Sequence, residues 1–207
     1  MKRAHPKVFT GLGCVPGEYD IKLREGVTPF NLTTPRRISI PLLPRVETEI
    51  KRIKDMGVME KVVQPTEWCF PVVVIPKKDG KVRICGNVIQ LNKAVLWENP
   101  PMHTTEQTLA KLFYKIFYKL DANLRFWQRK LSVNSKLLTT FITTWESYCY
   151  RRLPFGISSA PEHFQKIMQK ILAGLEGVEC QTDNTFQTDN TFPSLLSPHW
   201  SSRGEIF

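Results

Sequence analysis

The sequence KLDAN, at residues 119–123, begins a stretch that continues through LPFG, at residues 153–156, into a long amphipathic segment. Apolar and aromatic residues alternate over residues 116–120, a pattern typical of a strand that enters a hydrophobic core. Asp121 stands at the end of this strand. Hard metal cations prefer oxygen ligands, so a carboxylate in this position is a natural metal ligand. Asp121 is therefore the first candidate site residue.

Two aromatic residues and an amide follow Asp121 closely. Phe126 and Trp127 are adjacent, and Gln128 comes seven residues after the aspartate. An acidic, an aromatic and an amide side chain can therefore face one cleft. Asp121 and Gln128 alone are not a specific pattern.

Residues 159–175 contain the clearest helix of the sequence. Ser159 and Glu162 match a capping box. Apolar residues then recur at helical spacing, at Phe164, Ile167, Met168, Ile171, Leu172 and Leu175. We predict an amphipathic helix that buries this face.

The composition indicates one basic domain. The 207 residues include 29 lysines and arginines and 19 acidic residues, and 42% are hydrophobic, which is enough for a packed core. Residues 1–180 carry a net charge of +12, whereas residues 181–207 carry −2. A basic body favours contact with a phosphate backbone, because neutralised phosphates release counterions. A solvated basic surface is the alternative, and composition does not decide between them.

Several classes of protein are disfavoured by the sequence. The five cysteines show no Cys-x-x-Cys spacing and the four histidines complete no zinc pattern, so we expect free thiols in a reducing compartment. The first residues lack the apolar stretch of a signal peptide, and no run approaches the roughly 18 apolar residues of a membrane span. We expect an intracellular protein of the cytoplasm or nucleus that is neither secreted nor inserted in a membrane.

The first half of the chain predicts an arm, a helix and a hairpin. Residues 1–44 are rich in proline and glycine and predict an extended arm that packs on something else. Residues 45–56 have helical periodicity, and Gly57 is placed to end that helix. The β-branched run at residues 70–75 and a second strand at residues 81–85 predict a hairpin with a basic tip.

A second hairpin is predicted further along the chain. Residues 137–143 and 147–153 are both rich in β-branched and aromatic residues, and the tripeptide TWE separates them. Between the two predicted hairpins, residues 104–112 begin with a capping-box pattern and predict a connecting helix.

The sequence RLPFGISSAPEHFQ, at residues 152–165, resembles the segment that joins the palm strands to the palm helix in reverse transcriptases of gypsy-like long-terminal-repeat retroelements. Three other segments resemble the fingers motifs of that family in the same order: PKKDG at 76–80, RIC at 83–85 and QLNK at 90–93. The resemblance covers about residues 8–184. It implies an α/β (α+β) fold of fingers and palm, with an antiparallel palm sheet backed by helices.

The resemblance also implies a nucleotide site. The family's hairpin folds over the incoming nucleotide, so Lys77 and Arg83 would contact the triphosphate. Phe126 would close the pocket under the sugar and select deoxynucleotides, and Phe155 and Gln128 would complete the nucleotide-binding set. The alternatives are a merely soluble turn for the lysines of the tip and core packing for Phe126.

The family usually has Val-Asp directly after its Arg-x-Cys stretch. This chain has Gly86-Asn87 there, which removes a β-branched residue and a charge. By resemblance, these changes would loosen the nucleotide pocket.

Three carboxylates would hold two Mg²⁺ ions in an enzyme of this family. Asp121 would supply the first. Where the family has an x-Asp-Asp hairpin this chain reads QTDNTF at 181–186, so Asp183 aligns with the second carboxylate and Asn184 replaces the third. We therefore expect Asp121 and Asp183 as catalytic and metal-binding residues. The same six residues are repeated at 187–192, so a chance match of Asp183 is the alternative.

The predicted organisation has three parts. Residues 1–44 are the arm, which by resemblance links the protease region to the polymerase; residues 45–184 are a fragment of fingers and palm; and residues 185–207 are the repeat and a disordered tail. The family's thumb and ribonuclease H domain are not expected in this chain.

We expect a decayed RNA-directed DNA polymerase with little or no activity. By resemblance its partners are an RNA or DNA primer-template and deoxynucleotides. A non-catalytic basic module that binds nucleic acid is the alternative, and a chain without molecular function is a third possibility.

Overall fold

The computed structural model describes residues 11–96, 120–122, 124–174 and 198–199. The helices are α1 (Leu43–Asp55), α2 (Ile89–Ala94), α3 (Val133–Leu138) and α4 (Ala160–Leu172). The strands are β1 (Val15–Tyr19), β2 (Met59–Lys61), β3 (Phe70–Pro76), β4 (Val82–Gly86), β5 (Leu120–Asp121), β6 (Arg129–Leu131), β7 (Phe141–Ile142), β8 (Ser147–Tyr150) and β9 (Pro198–His199). Short 3-10 helices lie at Ile40–Leu42 and Arg125–Gln128. The chain is thus mixed α/β, as predicted.

The chain divides into two units. The hairpin unit comprises Leu12–Trp97 and Phe126–Ser158, and the helix unit comprises Met1–Gly11, Glu98–Arg125 and Ser159–Phe207. The predicted domain boundaries at residues 44 and 184 remain predictions.

A five-stranded sheet in the order β2-β8-β7-β3-β4 forms the centre of the hairpin unit. Only the β3-β7 pair is parallel among these strands. The β-branched run of β3 pairs with β4 from Val72 opposite Gly86 to Pro76 opposite Val82. In the connecting turn Gly80 has φ +76°, which glycine adopts without strain. The predicted hairpin is confirmed.

Aromatic side chains fill the core of this sheet. Phe70 and Phe141 are fully buried. The Phe70 ring stacks on Phe30 with centroids 5.9 Å apart, and the Phe141 ring lies 5.2 Å from that of Tyr150. Burial of one such side chain stabilises the fold by about 1.5–3 kcal/mol.

Helix α1 packs through the face that its periodicity predicts. Val46, Ile50 and Ile53 are buried. The helix ends in a Schellman motif, in which Gly57 (φ +67°) donates to the carbonyl of Lys54 and the next amide donates to that of Ile53. This helix and its C-terminal glycine are confirmed, although the helix starts two residues earlier than predicted.

The N-terminal arm joins the hairpin unit through a strand. Strand β1 pairs in parallel with β6, and Tyr19 and Ile21 are buried. The amide of Ile21 donates to the hydroxyl of Ser135 over 2.8 Å. Sequence periodicity gave no sign of β1.

The prediction of a strand over residues 137–143 is wrong in its first part. Residues 137 and 138 end helix α3, and the strand is limited to Phe141–Ile142. The cause is Ser132, whose hydroxyl caps α3 by accepting a hydrogen bond from the amide of Ser135. The pairing of β7 with β8 confirms the second hairpin itself.

Helix α4 of the helix unit buries Phe164 and Met168 and confirms the helix predicted over 159–175, although it ends at Leu172 and leaves Ile171 exposed. Ser159 stands at its N-cap position, but the side chain makes no capping hydrogen bond. Strand β5 pairs in parallel with β9, which lies within the predicted tail. The helix predicted over 104–112 lies outside the described residues. No helix within the described ranges is long and apolar enough to cross a membrane.

Candidate nucleotide site

The alternation of strand β4 determines where Arg83 points. Val82 and Ile84 are buried, so Arg83 between them faces outward and is exposed. Arg83 is directly opposite Ile75 of the same hairpin. Its guanidinium forms no hydrogen bond or ion pair within the described part of the chain, so its donors can serve a bound anion.

Arg83 lies over an aromatic cluster formed by Phe126, Trp127 and Phe155. The guanidinium carbon is 5.4 Å from the centroid of the Phe155 ring. The edges of Phe126 and Trp127 contact the same ring, with centroid distances of 5.2 and 5.9 Å. The first two aromatic residues are buried and Phe155 is half-buried. The structure thus brings three of the predicted nucleotide residues together.

Asn92 holds the loop that carries Phe155. Its side-chain amide donates to the carbonyl of Gly156 over 2.7 Å, and its side-chain oxygen accepts from the amide of Ser158 over 2.9 Å. Gly156 has φ +99°, which a residue with a side chain would adopt only with strain. Asn92 therefore fixes the loop on both sides of its glycine.

No role for Asn92 is predicted from the sequence. A signal was present, because Asn92 is a polar residue between the apolar positions Leu91 and Ala94, which are buried in helix α2. Such a residue commonly bonds to a nearby loop.

Lys77 begins the turn of the hairpin. Its amide donates to the carbonyl of Lys81, and its own carbonyl accepts from the amide of Gly80. Its side chain is exposed. In the same turn, the hydrogen bond from the Lys81 amide to Asp79 lowers the pKa of that carboxyl. The backbone of the tip is therefore well defined, whereas the predicted triphosphate contact of Lys77 stays a prediction.

Gln128 lies against the arm. A side-chain carbon placed on Gly13 would come within 3.2 Å of the Gln128 oxygen, so the two residues pack closely. The predicted role of Gln128 in nucleotide binding stays a prediction. Nearby, Leu124 adopts φ +52°, a left-handed conformation at the turn that precedes the aromatic pair.

Of the residues predicted at the metal site, the structure describes only Asp121. The backbone of Asp121 ends strand β5 opposite His199 of β9. Asp183 and Asn184 lie outside the described residues. The residues that the structure does describe contain no group of three histidine, cysteine or acidic side chains able to hold a metal ion.

Gly86 and Asn87, which stand where the resembled family usually has Val-Asp, lie next to a cavity. Asn87 lines an apolar space of about 410 Å³ together with Phe30, Pro71 and Ile89, and none of the predicted site residues lines it. A side-chain carbon on Gly86 would meet Phe141 at 3.6 Å, an ordinary contact. The expected loosening of the nucleotide pocket stays a prediction.

The chain is similar in sequence to parts of longer proteins. No family model matches the chain. An uncharacterized protein of Caenorhabditis elegans is 32% identical over 189 residues, which are 89% of this chain and 15% of that protein. The retrovirus-related Pol polyprotein from transposon 412 of Drosophila melanogaster is 32% identical over 128 residues, 58% of this chain and 10% of its own length. The chain therefore spans a small part of these relatives.

Solved structures of foamy viral protease-reverse transcriptases have the same fold as this chain. A foamy viral protease-reverse transcriptase in complex with dsDNA matches with a TM-score of 0.68 and 22% identity, over 82% of this chain and 35% of that one. The same kind of protein in complex with an RNA/DNA hybrid matches with a TM-score of 0.68 and 19% identity, over 86% and 25%. The predicted fingers-and-palm fold is confirmed. This chain therefore has the fold of a reverse transcriptase and is similar in sequence to the Pol polyproteins of retrotransposons and retroviruses.

Proposed function

We propose that this region derives from the RNA-directed DNA polymerase of a gypsy-like retroelement and that it binds a primer-template and a deoxynucleotide. The arrangement of Arg83 over Phe155, whose ring contacts Phe126, is the observation that carries the proposal. It supplies a cation with available donors beside a partly exposed ring, which suits a nucleotide triphosphate and its sugar. The domain division at residues 44 and 184 belongs to the same proposal.

Each residue has a distinct task in this proposal. Arg83 binds a phosphate oxygen through its planar donors, and Lys77 adds a point charge from the hairpin turn. Phe126 sits under the sugar and disfavours a 2′-hydroxyl. Asn92 orients Phe155 by fixing the loop on either side of Gly156.

The metal donors are fewer than the family pattern requires. Asp121, Asp183 and Asn184 offer two carboxylates and one amide, all hard oxygen donors, and this set suits one Mg²⁺. When bound, Mg²⁺ ions activate the primer hydroxyl and stabilise the leaving pyrophosphate. An amide brings no charge to offset a second dication, so we propose that polymerase activity is weak or absent.

Nucleic-acid binding is supported by charge. Residues 1–180 carry a net charge of +12. Their contacts would reach phosphates rather than bases, and the affinity would fall steeply with salt and show no sequence preference. The relatives in the solved structures are bound to dsDNA and to an RNA/DNA hybrid. The proposal implies an intracellular location, where such partners occur.

Nucleotide binding to the complex of the full chain with a primed RNA template tests the proposal. We expect Arg83→Gln to weaken deoxynucleotide binding by about tenfold, because a charge-assisted hydrogen bond contributes roughly 1.5–3 kcal/mol. Lys78→Gln is the matched control, since it removes one charge from the same hairpin at an exposed position. Equal affinities of both variants and the unaltered chain would refute the nucleotide site.

A non-catalytic nucleic-acid-binding module is the second candidate. The amide at Asn184 favours it over an active polymerase. In that case the primer-template still binds, but labelled deoxynucleotide neither binds to the complex nor enters the primer.

A further inference from the structure

A second basic feature lies near the edge of the five-stranded sheet formed by β2 and β8, away from the β3–β4 hairpin. A cavity of about 330 Å³ is lined by four cationic side chains, Lys130, Lys136, Arg151 and Arg152. Arg151 directly follows β8, which neighbours the edge strand β2, whereas Arg83 is on the other edge strand, β4. Adjacent strands are about 4.8 Å apart, so β8 and β4 are separated by roughly 14 Å, and Arg83, Phe126 and Phe155 do not line the cavity. The cavity is therefore distinct from the candidate nucleotide site.

The backbone places two of these cations side by side. Lys130 and Arg152 are direct partners in an antiparallel bridge, which hydrogen bonds on both sides reinforce. Arg129 and Leu131 on either side of Lys130 are buried, so Lys130 faces outward. Like charges directly opposite each other destabilise a sheet. An anion between them would remove this repulsion.

The other two cations share one carboxylate. The Glu60 oxygens lie 2.8 Å from the ammonium of Lys136 and 3.4 Å from Nε of Arg151. Glu60 thus offsets part of the charge at one end of the cavity.

Among the described residues, Lys130 and Arg152 have no comparable carboxylate partner. Lys130 forms no ion pair with any residue that the structure describes. Arg152 donates through Nη1 to the neutral carbonyls of Gly13 and Trp127, each over 3.3 Å, which holds its guanidinium in place. Glu18 lines the same cavity. With Glu18 and Glu60 counted against the four cations, the group has a net charge of +2.

We propose that this cavity binds a phosphate dianion. Its net charge matches that of the ligand, and the fixed guanidinium of Arg152 offers a fork geometry that suits phosphate oxygens. The volume is at the lower end of small-molecule sites, which fits a single phosphate group better than a whole nucleotide. A small phosphate compound and the terminal phosphate of a nucleic-acid strand can both bring this group, whereas the internal phosphodiesters of a strand carry one charge each.

Titration of the full chain with inorganic phosphate by calorimetry tests the site. We expect Lys130→Gln to weaken binding by about three- to tenfold, since it removes the outward cation beside Arg152. Glu60→Gln should tighten binding about threefold, because Lys136 and Arg151 are then released toward the anion. Glu18→Gln should act in the same direction and does not depend on the ion pairs of Glu60.

Lys170→Gln is the matched control, because it removes one exposed charge from helix α4. We expect it to leave phosphate binding unchanged. Absence of phosphate binding, an equal loss in Lys130→Gln and Lys170→Gln, or no gain in either glutamate variant would overturn the site. A merely structural role of these residues predicts no gain on removal of a carboxylate.

A competition with a single-stranded oligonucleotide that carries a 5′-phosphate identifies the source of the phosphate. Displacement of phosphate, with the same opposed effects of Lys130→Gln and Glu60→Gln on oligonucleotide affinity, assigns the site to a strand. Lack of displacement assigns it to a small phosphate compound. Lys78→Gln, on the hairpin of the nucleotide site, should leave phosphate binding here intact, and deoxynucleotide binding is tested separately through Arg83→Gln, so the two sites fail independently.

Discussion

The guanidinium of Arg83 and the ring of Phe155 lie 5.4 Å apart although they are 72 positions apart in the sequence. Arg83 reaches the ring from an exposed position on β4, and Phe155 reaches it from a loop that Asn92 holds. A cation over a ring contributes about 0.5–1 kcal/mol at an exposed site. The pair therefore links the hairpin to the loop after β8 and leaves the outer donors of Arg83 accessible.

Replacement of Phe155 should destabilise the hairpin unit. Phe155→Leu removes the contact with Arg83 and both edge contacts, to Phe126 and Trp127, so we expect a loss of about 2 kcal/mol in the free energy of unfolding. Urea unfolding measures it. Trp145→Leu is the control, because Trp145 is 43% exposed, and its effect should stay within about 0.5 kcal/mol. Equal losses in the two variants would contradict the packing role.

Removal of Asn92 should loosen the Phe155 loop. Asn92→Ala leaves the Gly156 carbonyl and the Ser158 amide without their partner, and we expect a loss of about 1–3 kcal/mol in stability. The amide of Ser158 should also exchange its hydrogen faster. Lys93→Ala, at an exposed position of the same helix, should change neither quantity. Unchanged exchange at Ser158 in Asn92→Ala would show that another contact holds the loop.

Replacement of Gly17, which lies beside Arg129, should lower the stability of the protein. Gly17 has φ +85°, and an added side-chain carbon would lie 3.1 Å from Nη1 of Arg129. That guanidinium donates to the carbonyls of Pro16 and Glu18 and so ties β1 to β6. Gly17→Ala therefore combines backbone strain with a close contact.

Gly26 provides the matched control for Gly17. Its φ is +70°, but an added carbon would have no neighbour within 4 Å. Gly26→Ala should cost about 1 kcal/mol for the backbone alone, and Gly17→Ala clearly more, as measured by thermal or urea unfolding. Equal costs would mean that Arg129 shifts without penalty.

The sequence predicted those elements whose signal is local. The hairpin of β3 and β4 follows from its β-branched run and the glycine of its turn, and helix α4 follows from its periodic apolar face. Strand β1 was missed because its residues, VPGEY, lack alternation, and its pairing with β6 depends on contacts more than 100 positions away. Helix α3 was missed because the capping hydroxyl of Ser132 outweighs the β propensity of the residues that follow it.

For the candidate site too, the sequence did not predict contacts that form only in the tertiary structure. The family motifs gave Arg83, Phe126 and Phe155, which the fold brings together. They did not give the buried guanidinium of Arg129, because only the tertiary structure supplies the carbonyls that accept its hydrogen bonds. Burial lowers the pKa of this guanidinium, and the charge of the Glu18 carboxylate opposes part of that effect.

Cys149 should make the protein sensitive to alkaline pH. Burial, aided by Glu60, raises the pKa of its thiol from the ordinary 9.0 to about 11. Between these values the unfolded chain loses the proton while the native chain keeps it, so stability falls as pH rises. A difference of two pKa units corresponds to about 3 kcal/mol. Unfolding free energies between pH 9 and 11 should fall less steeply for Cys149→Ala, and identical slopes would rule out this thiol as the cause.

Asn184→Asp should tighten Mg²⁺ binding if the sequence around Asp183 forms the family's hairpin. A further carboxylate offsets the repulsion between two dications, whereas the amide of Asn184 only lends an oxygen. The test is a magnesium titration of the full chain and this variant, with Asp121→Asn as the control that should abolish binding. We expect tighter binding but no processive synthesis, because the donor set is only one part of what places a primer. If Asn184→Asp binds no better and Asp121→Asn binds as well as the unaltered chain, the repeat at 181–192 is a chance insertion and Asp183 is not a ligand.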